Sequence, residues 1–364
     1  HEAVAHLVVS NREDRVLGLI EDDVGVLFGL VGRRQNLVRR EDQVPEGRLL
    51  LDDPRVVFDI GRARHAVHER RDIGRAADLI ELMEAEVRAI DLARSQVETS
   101  AQPLTYDYLV VALGAELAPT IIPGLGENTH TFYTFDGAGR TRDALRGFGG
   151  GAIAVVVSRL PFKCPAAPYE GAMLIADVLR RRKLSDRAAI HLFTPEPQPM
   201  PVAGPDLGSA VRNMIEAKGI DFHPLHKLTA VEPQAQLLHF EDKAPIRYDL
   251  LVVVPPHRGP GLLRDAGLAN EAGWVPVDRA TLQTRHEGVY ALGDVTAIPI
   301  PGRWMPGVPL MLPKAGVFAH AQALVVARRI AGEITDTPVD ATFCGDGYCM
   351  LEAGEDLAGF AYGN

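Results

Sequence analysis

The residues of this 364-residue chain that invite a chemical reading are its three cysteines, Cys164, Cys344 and Cys349. Cys164 lies in SRLPFKCPAAPYE. That turn joins a buried strand-like run, Ile153–Val157, to an amphipathic run read as a helix from about Pro168 to Arg182. In a nucleotide-binding βαβ unit such a turn is rich in glycine, because only glycine lets the backbone close on a pyrophosphate. Here it carries Pro161, Cys164, Pro165 and Pro168 and no glycine. A stiff turn holding one thiol stands in place of a dinucleotide cradle. Thiols act as nucleophiles and redox groups in their thiolate form. The N-terminus of the following helix offers partial positive charge. The bland alternative is a packing cysteine, since cysteine is among the most buried residue types. So few thiols, unevenly spaced, make neither a disulfide scaffold nor a four-ligand zinc site. Inert thiols or a redox pair remain.

Composition narrows the setting. The chain is 46% hydrophobic and 24% charged with net charge −10, and its mean hydropathy is +0.00. That profile belongs to a globular protein of two or three domains. No basic stripe stands out, so a nucleic-acid partner is not expected. No run of about 18 apolar residues spans a bilayer, and HEAVAHLVVS is not a signal peptide. The expected location is cytoplasmic, or peripheral at the cytoplasmic membrane.

The elements that must position the thiols follow from periodicity. Residues 1–95 contain no lysine and only two aromatic residues, Phe28 and Phe58. AHLVVS reads as a strand. The text after it has no clean period, and RHAVHERRDIGRAADLIELMEAEVRAIDL is helix-compatible for much of its length. From about residue 84 strands are legible at Val87–Ile90, Gln96–Thr99 and Tyr108–Leu113, the last apolar throughout and suited to burial on both faces. A proline- and glycine-rich crossing near 115–125 reads as a domain boundary. Next come a helix (Asp136–Phe148), the strand and helix around Cys164, and a strand at 188–194. A helix ending at Gly219, a strand at Ile220–His223 and three more strands complete this block. Alternating β and α elements argue for a doubly wound parallel sheet with an antiparallel attachment. YDLLVVVPP resembles YDYLVVALG, a weak sign of internal duplication. VYALGD follows, then Pro313 and a long helix from Lys314 to about Ile330. The tail, with GYCMLEAG, reads as a short sheet.

DRATLQTRHEGVYALGDV resembles the flavin-binding signature of two-dinucleotide-domain flavoproteins, and YDYLVVALGA resembles their connecting strand. PFKCPAAPYE and LPKAGVFAHAQALVVA resemble the sulfide:quinone oxidoreductase and flavocytochrome c sulfide dehydrogenase branch. GYCMLEAG resembles the place of that branch's second active cysteine. The resemblance covers about residues 84–364. It implies an α/β fold: two Rossmann-like, three-layer ββα domains plus a small C-terminal sheet segment. Residues 1–115 and 266–333 would build the FAD-binding domain, 116–265 the second Rossmann-like domain carrying Cys164, and 334–364 the C-terminal segment carrying Cys349.

It further implies an FAD-dependent oxidoreductase. Cys164 and Cys349 would be the redox pair that sulfide, or another small sulfur species, attacks, with electrons passing through FAD to quinone, and that mechanism implies a Cys164 activated by the N-terminus of the helix beginning near Pro168. Ala112, Gly114, Gly293, Asp294, Lys314, Ala315 and Gly316 would bind the cofactor. Asp294 would hold the ribityl chain, and Lys314 with the amides after it would face the flavin pyrimidine. A homo-oligomer is expected, and contact with a membrane surface would use a segment beyond Asn364. A type II NADH dehydrogenase would need a second glycine-rich loop, against which PFKCPAAPYE argues. A cytochrome-coupled sulfide dehydrogenase would need a haem partner, and an inactive relative would lack bound FAD.

The sequence departs from the branch in places. No GxGxxG occurs in residues 1–95, so the first strand of the FAD domain and its glycine loop read as missing. Tyr133 and Gly137 stand where quinone-linked members carry a third cysteine and a histidine. Cys344 reads as a spare thiol and Glu170 as an acid answering its helix dipole. Trp304 and Met305 could line a quinone pocket. His130, His191, His223 and His226 read as strand-end or surface residues, and no metal is expected.

Overall fold

The computed structural model describes residues 5–10, 16–21, 80–126, 129–305, 308–355 and 357–363. The first block supplies β1 (Ala5–Ser10), β2 (Val16–Glu21), β3 (Ile80–Glu84), β4 (Val87–Asp91), β5 (Gln96–Thr99), β6 (Leu104–Thr105), β7 (Tyr108–Ala112) and β8 (Glu116–Leu117). The next gives α1 (Phe135–Gly147), β9 (Gly151–Val157), α2 (Ala167–Arg181), β10 (Ala188–Phe193), α3 (Pro205–Ala217) and β11 (Ile220–His223). It continues with β12 (Leu228–Glu232), β13 (Leu237–Phe240), β14 (Ile246–Arg247), β15 (Leu250–Val254) and β16 (His257–Arg258). The remainder is α4 (Gly261–Asp265), β17 (Val275–Pro276), β18 (Val289–Ala291), β19 (Thr296–Ala297), β20 (Pro299–Met305), β21 (Val308–Met311), α5 (Gly316–Ile334), β22 (Gly347–Gly354) and β23 (Leu357–Gly363).

The continuous apolar runs become the strands buried on both faces. β11, β10, β9 and β15 form one parallel sheet in that order. Alternation along β9 and β15 sends Ile153, Val155, Leu250 and Val252 to one face, against Tyr169, Ala172, Met173 and Leu179 of α2. Ala154, Val156, Leu251 and Val253 face the other way, against Leu228, Val231, Leu238 and Phe240 of the β12–β14 meander. Helices on one side and a small antiparallel sheet on the other make the expected three-layer ββα arrangement. Each fully buried Val, Leu or Ile contributes about 1.5–3 kcal/mol, so this two-sided core fixes the frame that carries Cys164.

The first sheet runs β18-β7-β2-β1-β3. β18, β7 and β2 are parallel, while β1 is antiparallel to both of its neighbours. A strand, β2, therefore stands beside β7, although its sequence showed no clean period. The text that continues from it, EDDVGVLFG, is not GxGxxG. Ile80–Glu84 is a strand where helix-compatible text had been read, because pairing with β1 satisfies its backbone. Residues 64–79 of that text lie outside the described residues. Among the described residues no helix is long and apolar enough to cross a membrane.

The two halves repeat a unit. Each places a three-stranded antiparallel meander before its Tyr-Asp strand. In each, a left-handed residue (Ser95 or Gln236) lends its carbonyl to the tyrosine amide, Tyr106 or Tyr248, at 3.0 Å. The short strands that follow, β8 and β16, pair with each other across the halves. The resemblance of YDYLVVALG to YDLLVVVPP thus has a structural counterpart.

Candidate active site

Ligands in open α/β sheets bind beyond the carboxyl ends of the strands. Here the ends of β7 and β18 lie side by side, joined beyond the strands by the Leu292 amide donating to the Val111 carbonyl at 3.0 Å. Ala112 ends β7, and Gly114 turns the chain at φ +67°. Gly293 ends the other strand at φ +73°, and its amide donates to Gln322 Oε1 at 2.7 Å. A Cβ at Gly293 would stand 3.3 Å from the Ala319 Cβ, so the glycine serves a close approach of this turn to α5. Asp294 follows in the same single turn of helix. Ala315 is the N-cap of α5, and no side chain caps that helix, which leaves its first amides to other partners. A cleft between these elements is lined by Gly293, Asp294, Thr296, Lys314, Phe318 and Gln322.

Lys314 lies ahead of α5 and is not its first residue, a correction to the expected helix start. Its backbone is extended: it bridges in parallel with Lys163, and its carbonyl accepts the Cys164 amide at 2.7 Å. Ala315 is extended too, at φ −147° and ψ 144°, so the helix cannot begin before Gly316. The Lys314 side chain turns inward. Its ammonium donates to the carbonyls of Asp294 and Thr296 and sits 3.6 Å from the centre of the Trp274 ring. Burial lowers it to about 8, with Asp294 pulling the other way. It is a buried, easily neutralised cation that organises the cleft from beneath.

Cys164 occupies a left-handed conformation at φ +57°, which an L-residue adopts at some cost. Three groups hold it there. The Cys164 amide bonds Lys314, the Ala167 amide donates to the Cys164 carbonyl at 3.0 Å, and the Tyr133 hydroxyl donates to the Lys163 carbonyl at 2.9 Å. Tyr133 thus ties down the turn that carries the thiol. At Gly137 a Cβ would come within 2.5 Å of Thr131 Cγ2, so a histidine there would require repacking of α1. The expected activation of Cys164 is not found. Burial pushes its thiol up to about 12, with Glu170 and Cys349 adding to the rise. The amides of Ala167 and Ala166 favour the thiolate, but desolvation outweighs the helix terminus.

Cys349 arrives from the far end of the chain on β22. That strand packs on α2 through Leu351 and Ala353, and partly buried Cys349 borders the same cluster. Glu170 reaches across as well: its Oε1 accepts the Glu352 amide at 2.7 Å. The helix acid is therefore also the tie between the two cysteine-bearing elements. On the other side a Cβ at Gly347 would stand 2.3 Å from the Phe318 ring, so β22 is wedged between α2 and α5. Cys349 lies close enough to Cys164 for its charge to act there. Cys164, Cys344 and Cys349 are all unbridged. Exposed Cys344 donates to Asp346 Oδ2 at 3.1 Å. The expectation for Trp304 and Met305 concerns side chains outside those described.

Sequence reasoning passed over His257 and Lys163. His257, 7% exposed, follows two prolines at the carboxyl end of β15, a position where ligands are met, and that was the available signal. Its ring packs edge-on against Tyr133 at 5.3 Å, and its Nδ1 donates to the Pro255 carbonyl at 2.9 Å. Its Nε2 is buried and finds no partner among the described residues. Burial, with Lys163 and Lys314 adding to it, lowers His257 to about 3. Unfolded, the same side chain titrates near 6.5. Between those values the unfolded chain binds the extra proton, so stability rises with pH and is lost as pH falls from about 6.5 towards 3. Denaturant titrations between pH 7 and 5 should show a slope approaching about 1.4 kcal/mol per pH unit from this residue. The His257→Gln variant should lack that component.

The arrangement fits a bound group that offers anionic or accepting atoms to the helix amides and lysines, and a donor to His257 Nε2, which is unprotonated when Nδ1 carries the proton. An uncapped helix start, a glycine turn with little room for a side chain, an orphaned buried imidazole nitrogen and two buried lysines converge on the ends of β7, β15 and β18. Comparison with known proteins supplies a context. The family model for pyridine nucleotide-disulphide oxidoreductases matches residues 32–323, beginning well upstream of residue 84. A mitochondrial sulfide:quinone oxidoreductase of Mus musculus is 30% identical over 217 residues, which are 55% of this chain and 47% of the mouse protein. The chain thus spans about half the length of that relative. A sulfide-quinone reductase of Aquifex aeolicus is 27% identical over 297 residues, 78% of this chain and 67% of that one. The X-ray structure of the sulfide:quinone oxidoreductase from Aquifex aeolicus has the same fold, with a TM-score of 0.65 at 24% identity over 77% of this chain and 67% of that one.

Proposed function

The chain belongs to the pyridine nucleotide-disulphide oxidoreductase family, and from that premise we propose that it oxidises sulfide at the Cys164/Cys349 pair and passes the electrons through FAD to a quinone. The observation that carries the reading is the coupling of three distant parts of the chain at one place. The thiol turn is bonded to Lys314, Lys314 to the Asp294 carbonyl, and Cys349 bears on Cys164 from β22.

FAD is the cofactor of this family; when bound it supplies a two-electron relay between a sulfur donor and an acceptor. Gly293, Asp294, Ala315 and Gly316 would hold it, with Ala112 and Gly114 at the end of the neighbouring strand. Lys314 would offer positive charge from below. In the oxidised protein the two cysteines form the bridge. Hydrosulfide attacks one sulfur, a new S–S bond forms as the bridge breaks, and the products are a persulfide on one cysteine and a thiolate on the other. Where the thiolate forms at Cys164, the turn amides of Ala166 and Ala167 offset part of the cost of its burial. Tyr133 holds the thiol turn, and Glu170 ties its helix to β22. A nicotinamide dinucleotide finds no glycine cradle after β9, since that turn is built from prolines and the cysteine.

The test is spectroscopic. Purified protein, reconstituted with FAD if isolated without it, should be yellow, and sulfide should bleach the flavin whereas NADH should not. A protein that takes up no flavin, or whose flavin answers NADH and not sulfide, overturns the reading.

A further inference from the structure

We propose a divalent transition-metal site, separate from the cysteines, formed by His191 Nδ1, Asp221 Oδ2 and His223 Nε2 at the open edge of the second sheet. β10 and β11 are parallel with His191 opposite Asp221, and β11 is the edge strand. Side chains two apart on a strand share a face, so Asp221 and His223 stand beside His191. Each residue offers one ligand atom, and the three atoms lie within 4.8 Å of one another. No metal had been expected from these histidines, because the sequence separates His191 from the other two by thirty residues. Strand pairing removes that separation.

Two of the three spacings are those of a metal's ligands, and the third lies within 4.8 Å. Zn–N and Zn–O bonds of about 2.0–2.2 Å place tetrahedral ligand atoms roughly 3.3–3.5 Å apart. His191 Nδ1 is 3.3 Å from His223 Nε2 and 3.2 Å from Asp221 Oδ2. Hydrogen bonding satisfies this trio poorly. One ring nitrogen carries either a proton or a lone pair. Protonated, His191 Nδ1 can serve only one of its two neighbours well; unprotonated, it faces the carboxylate lone pair to lone pair. A cation among the three atoms satisfies all of them at once.

The surroundings hold the ligands in place. Phe193 stacks on the His223 ring at 4.5 Å and 13°. The His223 carbonyl accepts the Thr194 amide at 3.1 Å. Gly219, at φ +72°, ends α3 immediately before β11 and fixes where that strand starts. An open groove of about 340 Å³ runs along Gly219, Asp221 and His223, giving water access to a fourth position. Two imidazoles and one carboxylate suit Zn²⁺. The site would clamp the edge strand to β10, and it is independent of the flavin reading.

The experiment uses ZnCl₂ with the chelator-treated full chain. Calorimetry should show one equivalent lost in the His191→Ala/His223→Ala variant. Asp221→Asn, a change at an exposed position, should weaken binding by about 100-fold or more. Zn²⁺ should raise the melting temperature of the parent chain only. Co²⁺ in its place should give a d–d spectrum without thiolate charge-transfer absorption. Equal stoichiometry in parent and double variant, a thiolate band, or no binding by the parent would overturn the proposal. Circular dichroism of Asp221→Asn guards against misfolding as the cause of a loss.

Discussion

Sulfide-dependent reduction of the bound flavin falls by at least about a thousandfold in Cys164→Ser, the scale on which removal of a covalent nucleophile acts. Serine keeps the turn: the left-handed backbone, the amide bond to Lys314 and the Tyr133 tie to Lys163 do not involve the sulfur. What disappears is the ability to bridge to Cys349. Stopped-flow bleaching by sulfide measures the loss, and circular dichroism checks that the fold is intact. Cys344→Ser is the control. That thiol is exposed and bonded to Asp346, so its variant should stay within about twofold of the parent, as surface changes usually do. Bleaching in Cys164→Ser at the parent rate would remove this thiol from the mechanism.

Alkylation of Cys164 in the reduced chain, followed by mass spectrometry of its peptide, accelerates about tenfold per pH unit across the neutral and alkaline range. The thiolate is the reactive species, and burial has pushed this thiol up to about 12. The thiolate is therefore a minority species at pH 7. The sign follows from the causes: burial and the charge of Glu170 both disfavour the anion, so each unit of pH recovers a factor of ten until the value is reached. Glu170→Gln keeps an acceptor for the Glu352 amide and removes the charge, so it should react several-fold faster at pH 8. A reaction rate that levels off near pH 8–9 would contradict the environment described.

Parts of this molecule were legible from residue order alone. The run at 153–157 and the one within 248–256 read as buried apolar strands, and in the structure the alternate residues of β9 and β15 serve two different cores. Gly219 closed its helix where expected, at φ +72°. The N-terminal stretch was not legible. β2 lacks periodicity, and β3 was written in helix-compatible text that became a strand through its pairing with β1. Pairing partners override local preference in sheets.

The cleft divides along the same line. Gly293 and Asp294 were visible because DRATLQTRHEGVYALGDV resembles the flavin-binding signature of two-dinucleotide-domain flavoproteins. Lys314 was named but expected at the head of a helix. Its inward turn onto Trp274 depends on a ring 40 residues earlier in the chain. His257 and Lys163 went unremarked: the prolines before His257 mark a strand end, but their burial beside one another depends on segments far apart in the chain.

The sequence by itself determined the elements, the class of fold and which residue types were available for chemistry, because hydrophobic period, proline and glycine act over a few residues. Tertiary structure alone decided the protonation of Cys164, the approach of Cys349 and the gathering of His191 with Asp221 and His223. Those properties come from desolvation and from charges on other segments, and only the packed chain brings such segments together.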